Sequence, residues 1–315
     1  MKISVITPVY NREDCILRCL ESVAVFNKNG GRVEHVLTDD GSSDRSADIV
    51  ETFAASHPDV KLIRFPKNRG TNAARNAAIA AASGEYCLML DSDDYLTPDA
   101  LDNIETVMAT NPQFDIYLSA CSHTHNQTAV YGPQHIFSFD DFLLSKVSFD
   151  FNHVVKRSIL LEFPYDENLR IYESVFNLRL YRKAGKILYS DIITKIIDLG
   201  RSDHVTRTLR KTNDKALRDS RRYTNLFIDW YADDLRRTDE GRRRLAGMQT
   251  DRYRLAVLSG EYTEAADALA NGGSASAVYK LAATTHTGPL LWFFAKNAMK
   301  LKWFVLDRTG HTDQI

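Results

Sequence analysis

The chain has 315 residues, 44% hydrophobic and 26% charged, with a formal net charge of −1. This is a soluble globular composition with room for one large or two ordinary domains, and it lacks the basic excess that a nucleic-acid partner demands. No run of about 18 uncharged apolar residues occurs, so no membrane span is expected. The sequence enters its first apolar run at Ile3–Thr7, with no leader-like segment ahead of it, as expected for a strand buried on both faces. Pro8 ends that run, because proline has no N–H to give a ladder. Asn11 or Asp14 can cap the following helix, in which Ile16, Leu17, Leu20 and Val23 recur at helical spacing until Gly30-Gly31.

Val33–Thr38 reads as the second strand, and it ends in Asp39-Asp40-Gly41-Ser42-Ser43-Asp44. Asp44 can cap a helix from Arg45 to about Ser56. Val60–Phe65 is a third strand. Asn68-Arg69-Gly70 then turns into an alanine-rich helix over 72–83, stopped by Gly84, and Glu85–Leu90 is the fourth strand. Strands alternating with helices at these spacings predict an α/β fold with a doubly wound, mostly parallel sheet. In such sheets ligands bind beyond the carboxyl ends of the strands. The chemically loaded residues fall at those ends: Thr7 to Asn11, Asp39 to Asp44, and Asp91-Ser92-Asp93-Asp94.

A helix is predicted from Pro98 to about Thr110 and a strand over Asp115–Ser122. Residues 123–135 read as a polar loop with a short strand, Phe137–Val147 as a short helix, and Asn152–Leu161 as an apolar run. A turn-rich stretch leads to Ile171-Tyr172-Glu173 and a helix ending at Gly185; Ile187–Tyr189 and Ile192–Asp198 are strand-like. Beyond residue 208 the chain turns charge-rich and helical, which predicts a domain over 1–207 and a C-terminal helical region over 208–315. Counting along the sequence, residues 1–200 carry 20 basic against 27 acidic side chains, and 201–315 carry 20 against 14. Residues 289–306 read as an amphipathic helix opened by Pro289, with Leu290, Phe294, Leu301 and Val305 on one face and Lys296 and Lys300 on the other. With the arginine-rich 236–244 stretch, that helix suits peripheral contact with an anionic inner leaflet; packing on the domain or on a second subunit suits it equally. Cys15, Cys19, Cys87 and Cys121 fit buried free thiols, with no metal or disulfide spacing among them, and a reducing cytoplasmic setting is expected.

The segments ISVITPVYN, DDGSSD and NRGTNAARN…SGEY…LDSDD together resemble the inverting glycosyltransferases of family 2, which have the GT-A fold. The resemblance is sharp over 1–110 and continues to about 205 through KRSIL and FPYDENLRIYESVFNLRLY. It implies a nucleotide-diphosphate sugar donor, a glycan acceptor, lipid-linked in some settings, and an Mn2+ or Mg2+ ion that offsets the leaving diphosphate's charge. By the family's Asp-x-Asp pattern, Asp93 is the expected metal ligand, Asp91 and Ser92 belong to the sugar or ribose contact, and Asp94 is structural. Asp40 is carried over as the carboxylate facing a uracil-type N3–H, with Thr7, Pro8 and Tyr10 forming the opposite wall of the nucleoside pocket. Asn68 and Arg75 lie in the same pattern. Arg75 either contacts the nucleotide or ties its helix to the Asp39–Asp40 loop.

Inverting transfer needs one base for the acceptor hydroxyl. The family places it second in an acidic pair, which here is Tyr172-Glu173, so Glu173 is the expected base and Asp166 and Glu167 are the fallbacks. The departure from Glu-Asp leaves open an inactive sugar-nucleotide-binding or scaffolding module. A sugar nucleotidyltransferase is disfavoured, because no glycine-rich basic loop stands near the start. His204, Arg201 and Arg207, in the segment after the last strand, are candidates to complete a metal site or cover the diphosphate. Sugar, acceptor and linkage are not specified by these motifs.

Overall fold

The computed structural model describes residues 2–27, 32–169, 172–198 and 213–297. The chain divides into two compact units, Met1–Arg201 and Ser202–Ile315. The expected boundary at 207/208 lies outside the described residues.

The first unit is built on one sheet: β1 (Ile3–Val9), β2 (Val33–Asp39), β3 (Val60–Arg64), β4 (Tyr86–Met89), β5 (Tyr95–Leu96), β6 (Ile116–Cys121), β7 (Gln134–Ser138), β8 (Phe151–Lys156) and β9 (Lys186–Ile196). The strand order is β3-β2-β1-β4-β8-β6-β9-β5, with β7 on β9. The first four strands pair in parallel, as the alternation of strands and helices requires. β1 and β2 are buried along their whole length, which is why both read as unbroken apolar runs. Ile16, Cys19, Leu20 and Val23 face the core from the Ile16–Ala24 helix. The Thr71–Ala81 helix buries Ala73, Ala74 and Ala78, small side chains that let its backbone approach the sheet closely.

The second half of the sheet departs from the parallel pattern. β8 runs antiparallel between β4 and β6, while β5 and β7 pair antiparallel with β9; only β6 and β9 are parallel there. Phe137 and Ser138, expected in a helix, complete β7, and the helix that follows is short, Phe139–Leu143, with a capping box between Ser138 and Asp141. The two strand-like pieces expected over 187–198 are one strand, β9, with bulges against β6.

The second unit is helical: Asp214–Leu235, Asp239–Ser259, Tyr262–Ala270, Ala277–Thr284 and a helix over 288–297. Its core includes Tyr253, Ala256, Val257, Ala265 and Ala268. Arg236, Arg237 and Arg242 pair with Asp233, Asp234 and Asp239, each three residues away, so much of the 236–244 charge is neutralised locally. Lys296 and the Trp292 indole N–H both bond Asp214, while Leu290, Phe293 and Phe294 stay exposed. All four cysteines are buried and free. No helix among the described residues is long and apolar enough to cross a membrane.

Candidate active site

The loops after β1 and β2 are stitched together by short polar side chains. The Asn11 N–H donates to Ser42 Oγ (3.0 Å), and Asn11 Oδ1 accepts from the Ser43 N–H (2.9 Å). Asn11 holds this position with φ of 51°, a left-handed conformation that asparagine tolerates better than most residues. Asp39 Oδ2 accepts from the Ser42 N–H (3.1 Å), while its Oδ1 is buried without a partner. Both oxygens of the buried Asp40 are occupied, one by the Arg69 N–H (2.6 Å) and the other by the Gly70 N–H (2.8 Å). Gly70 takes φ of 100° at the start of the Thr71–Ala81 helix, a conformation reserved for glycine. The Asp39–Asp40 loop is therefore held to this helix by backbone donors, not by Arg75.

Around that loop, Thr7 is fully buried, its Oγ1 2.9 Å from His35 Nε2, and Pro8 is buried in β1 opposite Thr38. Tyr10 and Asn68 are exposed. Burial pushes the His35 imidazole down to about 3, so Thr7 faces a neutral ring.

Beyond β4 the chain runs directly into four polar residues. Arg75 reaches them from the neighbouring helix: its Nη2 donates to Asp91 Oδ1 (2.7 Å) and its Nη1 to Glu173 Oε1. The Arg75 side chain is 8% exposed, against 47% for Asp91 and 37% for Glu173. One buried cation thus serves two carboxylates that remain open to solvent. Burial opposes the Arg75 charge, yet Glu173 and Asp91 outweigh it and raise the guanidinium pKa. Crowding by protein likewise opposes the Asp91 charge, and Arg75, Lys195 and Arg12 overcome it to hold Asp91 below the usual carboxylate value.

Glu173 stands in the first turn of the Glu173–Ala184 helix, where the helix dipole favours a negative charge. The loop ahead of it is clamped by two asparagines of the Thr71–Ala81 helix. Asn76 Nδ2 donates to the Tyr165 carbonyl (2.8 Å), and the Tyr165 N–H donates back to Asn76 Oδ1 (3.0 Å). Asn72 Nδ2 donates to the Asp166 carbonyl (2.9 Å) and to that of Leu169. Their spacing of four, on an otherwise alanine-rich helix, places two polar side chains on one face with no capping role, a signal that something outside the helix is being held. Asp166 and Glu167, the fallback bases, lie in that clamped loop; Glu167 pairs with Arg69 at 2.9 Å.

Three further cations border the acidic turn. Arg12 Nη2 lies 3.7 Å from Asp93 Oδ2. Arg18 donates to the Asp93 carbonyl (3.1 Å) and to Asp198 (2.7 Å). Lys195, buried on β9, lies 3.6 Å from Asp94 Oδ2. Burial raises the Asp94 carboxyl to about 7, with Asp91 and Asp93 adding to the rise against the pull of Lys195. The rise is mainly the cost of burying the carboxylate, and it is opposed by the cation beside it. No group of three or more His, Cys, Asp or Glu side chains forms a cage among the described residues. Mg2+-type sites often need only one or two carboxylates beside phosphate and water oxygens, and Asp93, partly exposed in this turn, fits that requirement. Ser92 is buried beside them, its carbonyl facing the Cys15 thiol at 3.8 Å. His204, Arg201 and Arg207 lie outside the described residues.

The family model for glycosyl transferase family 2 matches residues 4–160. This chain belongs to that family. An alignment over 200 positions, which takes in 60% of the chain, is 34% identical to a poly(ribitol-phosphate) beta-glucosyltransferase of Bacillus spizizenii, of which it covers 31%. An alignment over 224 positions, which takes in 64% of the chain, is 26% identical to a chondroitin synthase of Escherichia coli, again covering 31% of it. The chain therefore spans about a third of the length of these two family relatives. In three dimensions it resembles S. aureus TarS residues 1–349 with a TM-score of 0.57 and 18% identity, over 86% of this chain and 89% of that one. A mannosyltransferase from Pyrobaculum calidifontis, solved with GDP-Man and Mn2+, gives a TM-score of 0.54 at 17% identity, over 99% of this chain and 88% of that one. At such identities the likeness speaks for the GT-A fold alone.

Proposed function

We propose that this family 2 protein is an inverting glycosyltransferase that moves a hexosyl or N-acetylhexosaminyl group from a uridine-diphosphate sugar to a glycan hydroxyl, in bacterial surface-polysaccharide assembly. The observation that carries the reading is Arg75. It joins Asp91, at the donor-side end of the sheet, to Glu173, at the start of the acceptor-side helix, and leaves both carboxylates open to solvent. The solved complexes of TarS with UDP and with UDP-GlcNAc support the choice of donor.

In this reading the nucleoside lies over Pro8 and Tyr10 beside Asp40, and Asn68 and Ser92 border the ribose and sugar. A divalent ion at Asp93, when bound, supplies Lewis-acid stabilisation of the leaving diphosphate. Asp91 orients the sugar. Glu173 accepts the acceptor hydroxyl's proton, and Arg75, bonded to Oε1, fixes the carboxylate's aim and leaves Oε2 to take that proton. The acceptor oxygen then bonds to the anomeric carbon as the bond from that carbon to the diphosphate oxygen breaks, and the electron pair leaves with UDP. A single displacement inverts the anomeric configuration.

The test is transfer from a panel of sugar nucleotides to glycan acceptors with Mn2+, with and without chelator, and the product anomer read by NMR. Transfer with inversion is expected. Binding of donor without transfer or hydrolysis would favour the sugar-nucleotide-binding module instead. Exposed Leu290, Phe293 and Phe294 support a second proposal, peripheral contact of the helical region with a membrane surface. Co-flotation with anionic vesicles is the expected result, and equal recovery with and without vesicles would count against it.

A further inference from the structure

β9 is not a regular partner for β6. Its register with β6 begins as Tyr117 opposite Leu188 and Ser119 opposite Ser190, an offset of 71, which would set Cys121 opposite Ile192 (121 + 71). Instead Ala120 faces Ile193 and Cys121 faces Lys195. Three extra residues of β9 are taken up in bulges, and bulges re-aim side chains. Here the result is a lysine whose side chain is only 10% exposed, pointing at Asp94.

The backbone around Lys195 is fixed from both sides. Its carbonyl accepts from the Ser122 N–H (3.0 Å), and Leu96 of β5 is its partner on the other side. The Thr97 N–H donates to the Thr194 carbonyl (3.1 Å), and Thr194 Oγ1 accepts from Asn152 Nδ2 (2.9 Å). β5 begins one residue after Asp94, so the strand that carries Lys195 also grips the chain at the exit of the Asp91–Asp94 turn. Within that turn the Asp94 N–H donates to the Asp91 carbonyl (3.1 Å). A lysine head group in the interior is rarely retained without a partner, and here the partner is the Asp94 carboxyl.

We propose that Lys195 is a positioning residue for donor and metal binding: held by the β9 bulge, its ammonium group anchors Asp94 and thereby sets the Asp91–Asp93 carboxylates for a divalent cation and the diphosphate it accompanies. Burial opposes the ammonium's charge, and Cys121, Asp94, Asp91 and Asp150 together outweigh it. The inference rests on the donor reading above and extends it to a residue that touches neither sugar nor phosphate.

The experiment is calorimetric titration of the full chain with UDP, with and without Mn2+, for wild type, Lys195→Met, Lys195→Arg and the double variant Lys195→Met/Asp94→Asn, with Tm recorded for each. Lys195→Met is expected to weaken UDP binding at least tenfold in Mn2+ and to leave it within twofold of wild type without Mn2+. Lys195→Arg should regain most of the Mn2+-dependent affinity. The double variant removes the stranded carboxylate, so it should recover Tm even where Lys195→Met is poorly folded, without recovering the Mn2+-dependent affinity. Wild-type affinity in a folded Lys195→Met or in the double variant overturns the inference alone. So does equal weakening with and without Mn2+, which would make Lys195 a direct ligand. Failure of the wild-type chain to bind UDP with Mn2+ overturns the uridine-donor reading, and the inference falls with it.

Discussion

Asn76 and the backbone of Tyr165 exchange two hydrogen bonds, at 2.8 and 3.0 Å, across 89 residues of sequence. The Asn76 amide thus acts as a peptide group would in a ladder, docking the 165–169 loop on the Thr71–Ala81 helix a few residues before Glu173. Asn76→Ala leaves one N–H and one C=O without partners, at roughly 1–3 kcal/mol for each group that water does not reach. We expect a lower Tm and a fall in kcat of about tenfold or more, since small displacements of a catalytic group are costly. KM for the donor should change little. A variant with wild-type kcat would show that this clamp does not position Glu173.

Arg75 is the hinge of the charge arrangement, and lysine cannot replace it. A guanidinium offers separate N–H groups to Asp91 and Glu173, whereas an ammonium is a single point. Arg75→Lys should reduce transfer by about 100-fold, the scale seen when one preorganised donor is lost. Arg75→Met should lower it further. Steady-state kinetics on both variants checks the order; equal rates for lysine and arginine would mean that charge alone suffices.

Glu173→Gln separates chemistry from binding. The amide keeps the side chain's shape and can still accept from Arg75, but it cannot take up a proton at neutral pH. Transfer should fall to near background while UDP binding, followed by calorimetry, stays within a few-fold of wild type. Retained transfer would move the base to Asp166 or Glu167, on the loop that Asn72 and Asn76 hold.

The donor half was legible because the loops after β1 and β2 follow fully buried strands, and buried strands announce themselves as apolar runs such as Ile3–Thr7 and Val33–Thr38. The acceptor half was not. β5 is two residues long and β7 is an edge strand with one buried residue, Phe137, so neither carries a periodic signal. β9 reads as two pieces because its bulge admits Ser190 and Asp191 between apolar stretches. The carboxylates of the Asp-x-Asp turn are visible as a motif, but the link from Arg75 to Glu173 spans 98 residues and leaves no local trace. Lys195 is hidden for a sharper reason. A lysine in a strand normally signals a solvent-facing position, and only the bulged register turns this one inward.

Stability should fall as the medium is acidified, in two stages whose order follows from the buried His35 and Glu34 and the half-buried His153. Burial pushes His35 down to about 3 and His153 to about 4, with Lys195 reinforcing the second. Both rings are neutral in the folded chain, whereas in the unfolded chain they take up protons near pH 6.5. Each ring then lowers stability by about 1.4 kcal/mol per pH unit below about 6.5 until its folded-state value is reached, and Asp94, raised to about 7 in the folded chain, offsets about one of these two protons, so the net first stage is a decline of roughly one proton's worth. Glu34 enters later. Burial opposes its charge, but Lys61 (2.7 Å), Ser4 and Ser83 overcome this and bring it down to about 2. Its contribution is complete above the unfolded value of about 4.5 and is lost as pH falls from there toward 2. Urea unfolding at pH 7.5, 6.0, 5.0 and 4.0 should show a decline that starts near 6.5 and steepens below 4.5. His35→Gln/His153→Gln should flatten the first stage, and Glu34→Gln should flatten only the second. A first stage that survives the double histidine substitution would assign the proton uptake to groups other than these rings.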